Sequence, residues 1–304
     1  MAILSKIDLI KRVMIGEMLI YEHTSKEARI KQCLMHIWKR SPTHQKQAEA
    51  LLKSYFKELA SSPEGLLKRK LAIEKYIEDN FLGKTTDEIE RMLNEKESLK
   101  ELKGRISLPI FIHDFDYETC LRGANYDLRL GEDIYVTTER VPRKLTTMGV
   151  DGVISIEPGE FGILMAHEFI YVPPDLIGFI SIRLTHKQKG LVNISGFHVD
   201  PWFYGQLMFA VFNAGPNDVP LRYKEPVFMI MFNKLTKPVQ RIQKREWHGM
   251  KNIPLGTISG LTGASVSVRN LDERVKKLET IYPVLVTGIA GLIISVLAWF
   301  LTHW

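Results

Sequence analysis

The chain has 304 residues, enough for one or two compact domains with appendages, and its 45% apolar and 25% charged residues exclude a disordered or fibrous chain. A formal charge of +6 favours an anionic partner such as a nucleotide, a nucleic acid or a lipid head group, although a basic surface without a partner has the same composition. Only two cysteines occur, Cys33 and Cys120, far apart and without metal-ligand spacing, which argues against a disulfide or zinc scaffold and for a reducing compartment.

The opening MAILSKIDLI meets charge at Lys6 and Asp8, too early for a signal peptide. Residues 24–104 read as a module of helices in series. Thr24 with Glu27 and Thr85 with Glu88 have capping-box spacing, and Ser62 before Pro63 is a cap followed by proline at the first helical position. The apolar faces carry Ile30, Leu34, Ile37 and Trp38, then Leu51, Leu52, Tyr55 and Phe56, then Leu67, Leu71, Ile77 and Phe81. The Lys/Glu-rich run NEKESLKELKGR reads as a solvated face. From about Leu108 short apolar, β-rich runs alternate with Gly, Pro and Asn turns, which predicts an all-β barrel or jelly-roll-like body.

In residues 266–282, Val268, Leu271, Val275, Leu278 and Tyr282 alternate by three and four, continuing to Leu285. This a/d pattern fits a short coiled-coil stalk that gathers several chains, and a single amphipathic helix would look alike. Residues 283–304 read as a membrane helix, because Val284 to Thr302 holds no charged residue over 19 positions. At about 1.5 Å per residue that run spans a bilayer core of roughly 30 Å. Pro283 suits its first turn, and Trp299 and Trp304 suit the far interface. Lys244, Arg245, Arg274, Lys276 and Lys277 precede the span and only His303 follows it, so the expected topology is single-pass, in the inner (cytoplasmic) membrane, with the body in the cytoplasm. Thr287, Gly291 and Ser295 recur every four residues with Gly288 beside them, a spacing that suits close helix packing or the lining of a pore.

Several segments, in order, resemble the dCTP deaminase/dUTPase family. Gly123 to Gly131 is similar to its "aSyDLRLG" strand, Glu157 to Phe161 to its "PGEf" turn, and Val172 to Gly178 to its "lPxdlxG" segment. Phe197-His198-Val199-Asp200-Pro201 resembles "xRIDPG", Phe212 to Gly215 resembles "xyNsG", and Trp247 to Ser259 resembles the C-terminal lid. Ile3-Leu4-Ser5 and Gly16 to Ile20 are similar to the deaminase opening. The resemblance implies a discontinuous dUTPase-like domain at 1–23 and 105–260, with the helices at 24–104 as an insertion.

The resemblance also implies which residues to inspect. The deaminase proton-shuttling glutamate falls at Ala210, which cannot carry a proton. The phosphate loop "RSSxaRxGl" reads Arg183-Leu184-Thr185-His186-Lys187-Gln188-Lys189-Gly190-Leu191, and the dUTPase glutamine falls at Met229. Asp200, which in the family meets the deoxyribose 3′-hydroxyl, and an aromatic beside the sugar, Phe203, persist, while His198 replaces an arginine. The expectation is a body that is not an enzyme and keeps a binding site: Arg183, Lys187, Lys189 and Lys251 for phosphate, and His198, Asp200 and Phe203 for sugar and base. A vestigial pocket would carry the same residues. His186, His198 and His248 share no ligand spacing, so neither metal nor cofactor is expected.

Family members are commonly homotrimers with sites between subunits, which would place three stalks and three membrane helices on one axis. The expected function is a membrane-anchored, non-catalytic sensor of a deoxynucleotide or single-stranded oligodeoxynucleotide that gates a pore, in bacterial antiphage defence. The alternative is a membrane-tethered deoxynucleoside triphosphate hydrolase or deaminase with a rearranged site, in which Asp200 and His198 position water and Glu160 or Glu168 supplies the acid. A scaffold that docks a partner through residues 24–104 is a third reading.

Overall fold

Ser5 fixes where the first helix begins. Its hydroxyl accepts the Asp8 backbone N–H at 3.2 Å, and Asp8 places negative charge at the helix's positive end. That helix, α1 (Lys6–Ile20), buries Leu9, Val13, Met14, Ile15 and Met18 almost completely, so it is a core element. The computed structural model describes residues 2–39, 41–102, 104–137, 142–145, 152–240, 248–259 and 268–303.

Helices α2 (Ser25–Trp38), α3 (Pro42–Ala60), α4 (Pro63–Asn80) and α5 (Thr86–Glu95) follow, with a 3-10 turn at Glu97–Leu102. Thr85 and Glu88 form the reciprocal capping box, and Ser62 accepts the Gly65 N–H at 3.2 Å. Thr24 forms no box: its hydroxyl donates to the Tyr21 carbonyl, and Glu27 reaches the His23 N–H instead.

Helix α4 turns a different face inward from the one its leucines suggest. Leu67 and Leu71 are exposed, while Arg69, Ile73 and Ile77 form the buried i, i+4 stripe. The cause is electrostatic. Arg69 makes a buried ion pair with Glu17 of α1, and the Tyr55 hydroxyl of α3 donates to the other Glu17 oxygen at 2.8 Å. A buried charge stripped of its partner is strongly destabilising, so this pair fixes the register of α4 against α1 and α3. On the other side of α1, Arg12 forks onto Asp175 at 2.9 and 2.6 Å and donates to the Leu108 carbonyl at 2.9 Å, which ties the helices to the β body.

The β body comprises β1 (Ala2–Ile3), β2 (Phe111–Ile112), β3 (Tyr126–Val136), β4 (Arg143–Lys144), β5 (Val153–Ile156), β6 (Phe161–Tyr171), β7 (Leu176–Ile182), β8 (Leu191–Asn193), β9 (His198–Val199), β10 (Tyr204–Asn213), β11 (Val219–Arg222) and β12 (Pro226–Lys234). A one-turn helix, α6 (Leu184–Lys187), joins β7 to β8. The sheet runs β8-β10-β6-β3-β12-β7-β9, antiparallel, with β1 on β12, β2 on β6 and β4 on β3, and β5 with β11 as a separate pair. This is the mainly β, barrel-like body with attached helices that the sequence indicates. Alternation along β6 puts Leu164 and Ala166 in the main core, and Ile163 and Met165 on the opposite face. There they form a second, smaller cluster with Tyr135, Ile253 and Ile258, the last of these in a short helix, α7 (Leu255–Ser259).

Helix α8 (Val268–His303) is continuous, with Pro283 inside it rather than in a first turn. The proline removes one backbone hydrogen bond without ending the helix. Arg274–Trp299 is long and apolar enough to cross a membrane, with mean hydropathy 2.2 and none of it buried, unlike the core helix of a soluble body. Leu271, Val275, Leu278, Tyr282 and Leu285 are exposed. The Thr287 and Ser295 hydroxyls donate to the Pro283 and Gly291 carbonyls, each at 2.8 Å, and a side chain at Gly288 or Gly291 would meet nothing within 4 Å. Lys244, Arg245, Trp247 and Trp304, and the side chain of Val268, lie outside the described residues.

Between the layers lies a buried charge network. Arg129 Nε donates to Glu168 at 2.7 Å, and Asp114 takes Arg129 and His167 at 2.9 Å each. Burial alone would raise the Asp114 carboxyl, but the hydrogen bond from His167 and the Arg129 charge hold it well below the usual range. His113 beside it accepts the Phe169 N–H on Nδ1 at 2.8 Å, and burial, reinforced by His167, holds its pKa well below an ordinary histidine. A histidine whose folded pKa is depressed stabilises fully above the unfolded value near 6.5 and loses that contribution as pH falls, because only the unfolded chain takes the proton. The body therefore loses up to about 1.4 kcal/mol per pH unit below pH 6.5 through His113. Melting followed by circular dichroism between pH 7 and 5 should show this slope, and His113→Asn, which keeps an acceptor for Phe169, should flatten it; an unchanged slope refutes the assignment.

Candidate functional site

The turn after β9 is built by backbone constraints. β9 pairs with β7 at Phe179–His198 and Gly178–Val199, then the Phe203 N–H closes on the Asp200 carbonyl at 3.2 Å. Trp202 sits at φ 71, a conformation that favours glycine, and the similar "xRIDPG" motif carries glycine at this place. Trp202 is held there by its indole N–H, which donates to the Val239 carbonyl at 2.8 Å. The result presents His198, Asp200 and Phe203 to one groove of about 830 Å³.

The barrel side of the groove is completed by Gln206, Leu207 and Met208 of β10 and Ser195 of the preceding loop, and the opposite wall is Met250, Pro254, Gly256 and Thr257. That wall is joined to β10 through its backbone. Gln206 donates to the Met250 carbonyl at 2.8 Å and Gly249 to the Tyr204 carbonyl at 2.7 Å, while His248 stacks on Tyr204 with ring centroids 5.4 Å apart. Further along, Ile253 and Ile258 anchor the wall in the second apolar cluster. Gly205, at φ +145, permits the approach: a Cβ there would stand 3.0 Å from the Met250 nitrogen.

His198 and Asp200 are the titratable residues lining the groove, among those described, and His198 Nε2 stands 3.4 Å from Asp200 Oδ1. Both side chains are more than 40% exposed, so water screens the pair. Together they offer a carboxylate and an imidazole that can hold a hydroxyl or a water molecule. Phe203 is mostly buried and forms an apolar wall. Ala210 is on β10 beyond Met208, and its carbonyl accepts the Ile194 N–H at 2.9 Å. Neither glutamate weighed as a substitute acid lines the groove: Glu168 is fully buried against Arg129, and Glu160 is buried and accepts the Glu157 N–H at 2.9 Å.

The cationic residues take other places. Arg183 Nε contacts Asp127 at 3.2 Å, and Nη1 donates to the Pro226 carbonyl at 3.1 Å, so its guanidinium clasps β3 and β12 of its own chain. Lys187 and Lys189 are exposed on the α6 loop, which closes where Gly190 (φ +99) packs directly on Gly215. This loop does not line the groove within one chain. Lys251 belongs to the wall segment and makes a 2.7 Å ion pair with Glu74 of α4. Sequence reasoning missed Gln206 and Met250 because their role comes from backbone pairing, and it missed Lys70 of α4, which donates to Gln206 Oε1 at 2.7 Å, because nothing in the helical segment's own pattern announces its contacts with the β body. Burial, and then the charge of Lys251, depress the Lys70 pKa.

Residues 96–235 match the family model described as dCTP deaminase-like. The dCTP deaminase of Pyrococcus abyssi is 30% identical over 151 residues, covering 50% of this chain and 94% of the relative. That of Thermococcus kodakarensis is also 30% identical over 151 residues, covering 50% and 93%. Among solved structures, the 2′-deoxycytidine 5′-triphosphate deaminase from Agrobacterium tumefaciens gives a TM-score of 0.32 at 16% identity, covering 39% of this chain and 42% of that one. The Staphylococcus bacteriophage 80alpha dUTPase gives 0.30 at 12%, covering 46% and 99%. Family membership rests on the sequence matches, not on these superpositions. The same matches correct the expectation that the chain is not an enzyme: relatives matched over nearly their whole length are named for an enzymatic activity, so alanine at position 210 is not sufficient ground for that reading.

The wall supplies a direct test. Gly205→Ala should strain the β10 backbone by roughly 1–3 kcal/mol and push Met250 outward. Trypsin should then cut after Lys251 several-fold faster than in the wild type, measured by mass spectrometry of timed digests. An unchanged rate would mean that the wall does not depend on this contact.

Proposed function

The chain belongs to the dCTP deaminase-like family, and from that premise we propose that it is a membrane-anchored protein whose groove takes a deoxynucleotide and whose occupancy is relayed to the apolar C-terminal helix. One observation carries this reading: the groove's outer wall is the segment that leads to α8, with α7 ending at Ser259 and α8 beginning at Val268. A ligand shifts a conformational equilibrium only if it binds two states differently, and a ligand touching both the barrel and this wall does so.

In this reading Asp200 and His198 receive the deoxyribose hydroxyl and Phe203 lies beside the sugar and base. The phosphates meet Arg183, Lys187 and Lys189 of a neighbouring copy. The α6 loop lies outside its own chain's groove, and Leu184, Ile194, Phe197 and Leu255 leave apolar surface exposed for a neighbour to cover. A cyclic trimer would bring three α8 helices together, with Leu271, Val275 and Leu278 as their seam and Thr287, Gly288, Gly291 and Ser295 in the membrane, the body facing the cytoplasm. The setting we infer for such a device is antiviral defence at the inner membrane. Turnover of the bound nucleotide is a second reading, favoured by the 3.4 Å His198–Asp200 pair at which water could be held.

Calorimetry on full-length protein in detergent with dCTP, dUTP and dTTP, and with CTP and UTP as ribose controls, tests the binding. At least one deoxynucleotide should bind, and Asp200→Asn should weaken it by about 10–100-fold, the worth of a hydrogen bond to a charged group. Chromatography of the same mixtures reads turnover. A protein that binds none of the deoxynucleotides contradicts the proposal.

A further inference from the structure

The helical insertion touches the groove at points that its own packing does not require. Lys70 and Glu74 are one turn apart on α4, at the boundary between the exposed Leu67 and Leu71 and the buried Ile73 and Ile77. Lys70 Nζ donates to Gln206 Oε1 at 2.7 Å, and the Gln206 amide N–H donates to the Ala166 carbonyl at 2.9 Å. The groove's floor is thereby held from behind by the insertion. Glu74 takes Lys251 at 2.7 Å, one residue along from the Met250 carbonyl that pairs with Gln206. One turn of α4 therefore grips both sides of the same backbone hydrogen bond, the floor through Lys70 and the wall through Glu74.

The next helix holds the chain leading to that wall. At α5 the Thr86 hydroxyl donates to the Val239 carbonyl at 3.1 Å and its N–H to the Gln240 carbonyl at 3.2 Å. Val239 also accepts the indole of Trp202, in the turn that carries Asp200. Behind these contacts α4 is held by its Arg69–Glu17 pair, and the wall it meets bonds to β10 through Gln206–Met250 and Gly249–Tyr204, stacks His248 on Tyr204 and buries Ile253 and Ile258.

We propose that the helical segment is a brace on the groove: α4 latches the wall segment 248–258 through Glu74–Lys251 and sets the floor through Lys70–Gln206, so that release of the wall from Glu74 opens the groove. The latch's Lys251 end is 41% exposed, so water screens the pair and a partner or ligand that competes for the lysine undoes it. The floor contact has a buried partner, Gln206, and in this scheme it is kept when the latch opens. Its consequence for deoxynucleotide entry rests on the reading above, whereas the latch itself does not.

Hydrogen exchange on unliganded full-length protein in detergent separates the two. Glu74→Lys and Lys251→Glu should each raise exchange across residues 248–258 by about threefold or more, a modest ion pair's worth of local opening, and leave α1 unchanged. The double variant, which restores the pair with charges exchanged, should return to within about twofold of wild type. Singles that exchange like wild type, or a double that stays as open as the singles, overturn the brace. If the exchange pattern appears but no deoxynucleotide binds, the brace stands and the groove's assignment fails. Lys70→Met gives a separate readout: tryptic cleavage after Lys251 should remain near wild type while nucleotide release quickens, and a wall as labile as in Glu74→Lys would show that α4 does not separate floor from wall.

Discussion

The backbone hydrogen bond from Gln206 to Met250 is the contact on which the arrangement turns. It makes a segment outside the sheet behave as a partner strand of β10 for a residue or two, and so gives the groove its second side. Gly205 permits the approach, Gln206 lines the floor, and Met250 begins the wall. Without that pairing the turn holding His198 and Asp200 would lie on an open sheet edge. With it, the turn faces a surface that leads toward α8.

The buried charges serve a different end. Arg12–Asp175 and Arg69–Glu17 join α1 to the barrel and to α4, and Arg129 with Asp114, Glu168 and His167 closes the gap between layers. Such pairs add little net stability, because desolvation offsets most of the Coulombic gain. They do penalise every other register, since a shift leaves a charge unpaired in the interior. The helices are consequently held in one place against the β body, and a contact as local as Lys70–Gln206 has a defined geometry.

Much of the fold was legible in the sequence because its signals are local or ordered. The motif series from Gly123 to Gly215 runs in the order of the strands, and the Thr85–Glu88 and Ser62–Pro63 caps begin helices where they stand. Phe203, His198 and Asp200 share a groove because one turn carries them all. The cationic residues were harder to place, since a sequence shows charge and not what it is paired with. Arg183 spends its guanidinium on Asp127 and Pro226, and Lys251 meets Glu74 from a helix that none of the motifs covers. Leu67 and Leu71 look like a core face until Arg69 takes the inward position, and periodicity does not register a buried arginine. The inference from Ala210 to a chain without activity failed for a related reason: one missing group was read as a missing chemistry, while the relatives are named dCTP deaminase.

The central claim is that occupancy of the groove moves the wall that precedes the membrane helix. Spin labels at Ile194→Cys and Thr257→Cys, one on each side of the groove and both exposed, would report that movement by pulsed electron–electron distance measurement in full-length protein. The account predicts a broad distance distribution in the empty protein that shortens and narrows when a deoxynucleotide shown to bind is added to saturation. A distribution that stays the same with the groove filled would contradict it, because a wall that ignores its ligand has nothing to pass to α8.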